Sequence, residues 1–402
     1  MKDLRRKLYK AVVSALPFDE ELSDDALYRV IDEKIAACEG PLSLSRKIHL
    51  REAVFSAIRE LDILSVIMKD TDITEIMVNG PEDIFIEKNG VLSRCPESFT
   101  TPEKLDDVIQ RIASSVNRRV NEASPMADAR LPDGSRVNII LPPVSLDGPA
   151  LTIRRFPEDP IHMEDLIRLD SISEEAARYL KTLVECGYNI FISGGTGAGK
   201  TTFLGALSGF IPGEERIITI EDSAELRLSG VKNLIRLECR PPNLEGDYEI
   251  TIRDLLKNAL RMRPDRIIVG EVRGAETVDL LQALNTGHSG SLSTGHANSA
   301  FDMLSRLEMM VLMGMDIPLQ AVRQQIASGL DILVHLSRLR DRTRRVMGIY
   351  ELAGIRQGRI RLHPLFEFRE EGEKDGKIIG SLVKSEYTLE KREKLALYGA
   401  SL

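Results

Sequence analysis

Eight consecutive residues, Gly194, Gly195, Thr196, Gly197, Ala198, Gly199, Lys200 and Thr201, satisfy the pattern G-x-x-x-x-G-K-[ST]. Glycines allow successive backbone N–H groups to curl around a phosphate at the positive end of a following helix. Lys200 then supplies a point charge to β- and γ-phosphates, and the Thr201 hydroxyl supplies an oxygen ligand for magnesium. Thr202 completes the nucleotide-binding stretch, and ATP with Mg2+ is the ligand this chemistry suits. The apolar run Asn189-Ile190-Phe191-Ile192 before the loop and the amphipathic stretch after it provide the strand and helix that such a loop joins.

Hydrolysis needs a carboxylate to align the attacking water and accept its proton. The run Arg216-Ile217-Ile218-Thr219-Ile220 ends in Glu221, Asp222 and Glu225, and the run Arg266-Ile267-Ile268-Val269-Gly270 delivers Glu271. If both are parallel strands, their acids reach the C-terminal sheet edge, where α/β proteins build their sites. Singly, each acid reads as a helix cap or a solvated charge; their shared position relative to the loop favours chemistry. The stretch from Asn285 to Asn298 adds His288 and His296 among glycines and hydroxyls, a composition for a loop and strand lining a polar site where imidazole contacts phosphate. Zinc is a weak alternative, since the spacing comes without cysteine or nearby acid partners.

Residues 1–57 repeat apolar positions at helical spacing and read as a small helical bundle. Residues 61–156 read as an α+β domain, with short strands near 75–78, 83–86, 136–140 and 151–154, a turn at Asn89-Gly90 and a helix at about 102–116. The acid- and proline-containing stretch from Phe156 to His162 suggests a linker, assigned to 157–172. Residues 173–402 then alternate strands and helices as a parallel α/β domain does, with a C-terminal extension. Net charge is -8, which gives the whole molecule no electrostatic case for gripping nucleic acid. Apolar runs are far shorter than the ~20 residues of a spanning helix. The basic start lacks an apolar signal core, and Cys38, Cys95, Cys186 and Cys239 form no C-x-x-C pair, so a reducing cytoplasm is expected.

From about residue 62 to 355 the sequence resembles the type II/type IV secretion ATPases, in particular the CpaF/TadA-like branch of tight-adherence pili. The likeness is carried by the phosphate loop, Asp72 to Gly80, Leu131 to Arg136, Leu151 to Phe156, Ile220-Glu221-Asp222 with Glu225, Arg261 to Asp265, Gly270 to Gly274, and the two-histidine stretch. It implies a RecA-like P-loop domain preceded by an α+β, PAS-like domain, assembled as a homohexameric ATPase that hydrolyses ATP to do mechanical work on an inner-membrane platform protein. The ring would sit peripherally on the cytoplasmic face of the membrane and drive pilus assembly or protein secretion. Conjugative or DNA-uptake secretion, and a low-turnover nucleotide-binding regulator, are the alternatives. By matching position, Lys200 and Thr201 are Walker A residues, Glu225 the acid-box catalytic glutamate, Glu271 the Walker B glutamate, and His288 and His296 the histidine box. Arg136, Arg154 and Arg155 resemble the N-terminal-domain arginines that reach the nucleotide. Gly270 stands where many P-loop enzymes hold magnesium with aspartate, which shifts that role toward Thr201. The four-cysteine zinc module of the general secretion and competence branches is absent from the sequence.

Overall fold

The computed structural model describes residues 2–17, 22–38, 42–88, 90–116, 118–155, 160–228, 230–240, 242 and 248–402. Contacts divide the chain into two compact units, Met1–Glu158 and Asp159–Leu402.

The first unit begins with helices α1 (Lys2–Val13), α2 (Asp24–Ala36) and α3 (Leu44–Arg59), followed by the short α4 (Ile63–Ile67). Ser23 and Ser43 cap α2 and α3 by accepting from backbone N–H groups that the helix leaves unpaired. Leu8, Val12, Leu27, Ile31, Leu50 and Val54 close the bundle. The buried Arg5 ties the bundle to the rest of the unit, its guanidinium donating to the Ser98 carbonyl. Strands β1 (Ile73–Asn79), β2 (Ile84–Lys88) and β3 (Val91–Arg94), helix α5 (Pro102–Ser115), and strands β4 (Met126–Arg130), β5 (Arg136–Ile140) and β6 (Ala150–Arg154) complete the unit. The sheet order is β3-β2-β1-β6-β5-β4, antiparallel throughout. Alternation places Ile76, Val78, Val137, Ile139, Leu151 and Ile153 in one core with α5. On the outer face Arg130, Arg136, Arg154 and Glu75 are direct cross-strand neighbours.

The second unit runs α6 (Met163–Arg168), α7 (Glu174–Glu185), β7 (Ile190–Gly194), α8 (Lys200–Ser208), β8 (Arg216–Glu221), β9 (Asn233–Glu238), α9 (Ile252–Ala259), β10 (Arg266–Val269), α10 (Glu276–Asn285) and β11 (Leu292–His296). It continues with α11 (Ala300–Gly314), α12 (Leu319–Gly329), β12 (Ile332–Arg338), β13 (Arg344–Arg356), β14 (Arg359–Lys374), β15 (Lys377–Lys384) and α13 (Glu393–Tyr398). Strand order is β15-β14-β13-β12-β7-β11-β10-β8-β9, parallel from β12 to β9 and antiparallel from β12 to β15. Helices cover both faces, so β7 and β10 are buried along their whole length. One core gathers Ile190, Ile192, Leu180, Phe203 and Leu207, and the other Phe191, Ile218, Met303, Leu307 and Met310.

The expected linker needs correction. Residues 156–159 lie outside the described residues, but Met163–Arg168 is helix α6, and Met163, Leu166 and Ile172 are buried in the core of the second unit. Burying three apolar side chains stabilises more than a free tether could. Asn89, half of the expected Asn-Gly turn, also lies outside the described residues.

At the N-terminal edge of the parallel strands, the buried Asn189 amide donates to the Gly329 carbonyl at 2.7 Å and accepts from the N–H groups of Gly290 and Ser291 at 2.8 and 3.2 Å. Asn189→Ala leaves these buried groups unpaired and is expected to destabilise the protein by about 3 kcal/mol, read from urea unfolding.

Candidate functional site

Strand β7 ends on Gly194, where only glycine fits: a Cβ there would lie 2.5 Å from the Leu336 carbonyl oxygen of the neighbouring β12. The loop then turns through Gly197 (φ 72°) and Gly199 (φ 89°), left-handed conformations that glycine adopts without strain. Gly199 is the N-cap of α8, so the N–H groups at the start of that helix remain available to an anion. Thr201 is half-buried and Thr202 exposed on its first turn, while Thr196 is exposed in the loop and Ala198 buried beneath it.

Lys200 is buried, and its Nζ donates to the Gly195 carbonyl at 3.1 Å. The same ammonium lies 3.1 Å from Nδ1 of His296, and Nε2 of His296 lies 2.7 Å from Oε1 of Glu271. Burial lowers the pKa of Lys200, with Arg273 adding to the effect and Glu271 opposing it. Burial likewise lowers that of His296; Glu271 opposes this, and Lys200, Arg273 and Arg306 reinforce it. A neutral imidazole follows at pH 7. Because an ammonium has only donors, Nδ1 must accept, which leaves Nε2–H beside Glu271 Oε1 in a close polar contact that is not aligned as a hydrogen bond. Three elements distant in sequence, α8, β11 and the segment after β10, thereby meet in one line of close polar contacts.

Glu271 is further held by Arg273, whose guanidinium lies 2.9 Å from its second oxygen and 3.5 Å from Asp222. Burial works against the charge on Arg273, but Glu271, Asp222 and Glu225 together raise its pKa above the ordinary value. The acid box and the acid after β10 thus share one arginine. Glu221 serves the architecture instead. It is buried at the end of β8, and its Oε1 accepts from the N–H groups of Glu225 and Leu226 at 3.0 Å each, fixing the turn that presents Glu225. A Cβ at position 270 would stand 2.8 Å from Cγ of Glu221, so Gly270 is the space into which Glu221 packs. An aspartate at 270 is incompatible with that arrangement.

Burial pushes Glu221 up to about 7, although the two backbone N–H groups pull the other way. Native protein therefore holds a proton that the unfolded chain releases, and this contribution to stability is present below the ordinary carboxylate range and lost as pH rises through about 7. Glu221→Gln keeps the hydrogen-bond acceptor and removes the titration. The stability of the variant relative to wild type is expected to rise by on the order of 3 kcal/mol between pH 4.5 and pH 8, measured by denaturant unfolding. Parallel pH profiles would show that Glu221 is not protonated in the native protein.

A cleft of about 630 Å3, within the size range of small-molecule sites, opens beside Gly195 and Thr196 and is lined further by His296, Asn298, Asp302 and Arg306. His288 does not reach it. It precedes β11 at the opposite sheet edge, where its Nδ1 lies 3.3 Å from the Ala283 carbonyl, while His296 ends β11 opposite Gly194. Of the first unit's candidates, Arg155 donates to the carbonyls of Asp70 and Ile73 at 2.5 and 3.3 Å and ties the end of its sheet together. Arg136 and Arg154 belong to the outer-face arginine row, with Arg154 3.9 Å from Glu75. Sequence reasoning did not single out Arg273 or Arg306. The position of Arg273 two residues beyond Glu271 was the available signal.

Residues 59–377 match the family described as Type II/IV secretion system protein. A Mycobacterium tuberculosis (strain H37Rv) chain named for conjugal transfer is 36% identical over 306 residues, 75% of this chain and 86% of its own. The type IV secretion system protein PtlH of Bordetella pertussis is 34% identical over 310 residues, 71% of this chain and 91% of its own. In fold, the chain is similar to the crystal structure of the pilus retraction motor PilT with bound ADP, at TM-score 0.53 and 18% identity, over 84% of this chain and 88% of that one. A phosphate loop at the edge of a parallel sheet, opposed by acids from two further strands, is found here in a chain matched over most of its length by one family. The protein belongs to the type II/IV secretion ATPase superfamily.

Proposed function

We propose that this chain is a magnesium-dependent ATPase that works as a homohexamer at the cytoplasmic face of the inner membrane and drives a platform protein of a tight-adherence pilus or type II/IV secretion machine. The observation that carries the reading is the chain from Lys200 through His296 to Glu271. On this reading Lys200 supplies the positive charge that meets developing phosphate charge, and Glu271 the carboxylate that aligns water. Glu271 serves as the base, held in place by His296 and Arg273, and Glu225 joins it from the acid box. The donors near the loop are hard oxygens of the kind magnesium prefers, and Cys239, pushed up to about 12 chiefly by burial and by Asp222, stays a thiol rather than a competing soft ligand. Thr201 would hold the ion, which neutralises phosphate charge when bound.

Arg136 and Arg154, direct neighbours across β5 and β6, keep with Arg155 the nucleotide-contacting role that the family resemblance implies. Among the described residues no helix is long and apolar enough to cross a membrane. Conjugative transfer is the second reading, favoured by the conjugal transfer protein TrbB of Rhizobium radiobacter, 32% identical over 316 residues. Genes for pilin precursors and a prepilin peptidase beside this one would support pilus assembly, and a relaxase gene the alternative. The biochemical test is sedimentation of the purified chain with Mg-ATP. A nucleotide-stabilised six-subunit species is expected, and a monomer at every nucleotide concentration would contradict the ring.

A further inference from the structure

The turn from β12 to β13 carries five arginines within residues 338–345, and two of them serve the fold. Arg340 pairs with Glu370 and Glu373 at 2.5 and 3.1 Å, and the buried Arg345 donates to the carbonyls of Ile378 and Gly380 at 3.1 Å each. Arg338 and Arg344 are different. They are exposed and directly opposite one another across the strand pair, a like-charge arrangement that costs stability by itself. Both also lean on the phosphate loop. Arg344 Nε donates to the Gly197 carbonyl at 2.9 Å, its Cδ lies 3.2 Å from where a Cβ on Gly199 would be, and the Arg338 guanidinium lies 4.0 Å from the corresponding point on Gly197.

Sheet order fixes what these arginines can meet. Strand β7 lies between β12 and β11, so His296 and Glu271 occupy the flank opposite the arginine pair. The γ-phosphate must point toward Glu271, and the remainder of the nucleotide then extends over Gly197 to Thr201 toward the β12–β13 turn. We propose that Arg338 and Arg344 clamp the α-phosphate of the bound nucleotide, a contact that anchors the nucleoside end and leaves the chemistry to the other flank. This rests on the proposed ATP binding.

The test compares binding of Mg-ADP and Mg-pyrophosphate by calorimetry in the full chain and in the double variant Arg338→Ala/Arg344→Ala, alongside ATP turnover. The clamp requires ADP affinity to fall about tenfold with pyrophosphate affinity unchanged, and the KM for ATP to rise by a similar factor at a kcat within about twofold, as removal of uniform binding does. Unchanged ADP affinity overturns the clamp, and so does an equal loss for both ligands, which would mean general electrostatics. Should the double variant be unstable in thermal unfolding, Arg338→Ala alone, at an exposed position, carries the same comparison. Wild-type chain that binds ADP without hydrolysing ATP would defeat the enzymatic reading and leave the clamp testable by binding.

Discussion

Lys200→Ala is expected to lower magnesium-dependent ATP turnover by about a thousandfold or more, because two functions are lost in one substitution. The first is the charge on the β- and γ-phosphates. The second is indirect: the Lys200 ammonium, 3.1 Å from Nδ1 of His296, is one of the charges holding that imidazole neutral. Without it the His296 pKa rises, and a protonated His296 pairs with Glu271 and weakens it as a base. The measurement is steady-state phosphate release, accompanied by an NMR titration of His296 in both proteins. An upward shift of its titration in the variant is the signature of the second effect. Thermal stability should change little, since Lys200 is the first residue of α8 and alanine is a good helix former there.

Glu271→Gln is expected to reduce turnover by a comparable factor while leaving nucleotide affinity within a few-fold of wild type. Glutamine keeps the size of the side chain and a polar oxygen beside His296 Nε2, so the packing of the site survives. It cannot accept the proton of the attacking water. The variant should bind ATP and hold it unhydrolysed, as checked by quantifying ATP and ADP released on denaturation. Loss of binding together with turnover would instead assign Glu271 to ligand affinity.

The parts of this protein that are legible in the sequence are those fixed by local physics. The phosphate loop needs glycines at Gly197 and Gly199 because the backbone is left-handed there, and β7, β8 and β10 announce themselves as short apolar runs because both sheet faces are covered. Strands with weak patterns escape such a reading: β3 is exposed at every residue, and β4 is partly exposed throughout. The long strands β13 and β14 stand out in the sequence only as the fragments near 346–351 and 365–368, since their ends are charged and solvated. What depends on sheet order is not legible at all. His288 and His296 look like one cluster, yet a strand separates them to opposite edges. Arg338 and Arg344 look like solvated charge until β12 is placed beside β7. Gly270 reads as a missing aspartate, and only its contact with Glu221 shows what the missing side chain makes room for.

The most direct test is ATP hydrolysis by the purified chain, with and without magnesium, beside Lys200→Ala prepared identically. Magnesium-dependent turnover in wild type and background release in the variant is the expected result. Equal release by the two proteins would contradict the assignment of Gly194 to Thr201 and its partners His296 and Glu271 as an ATP-hydrolysing site.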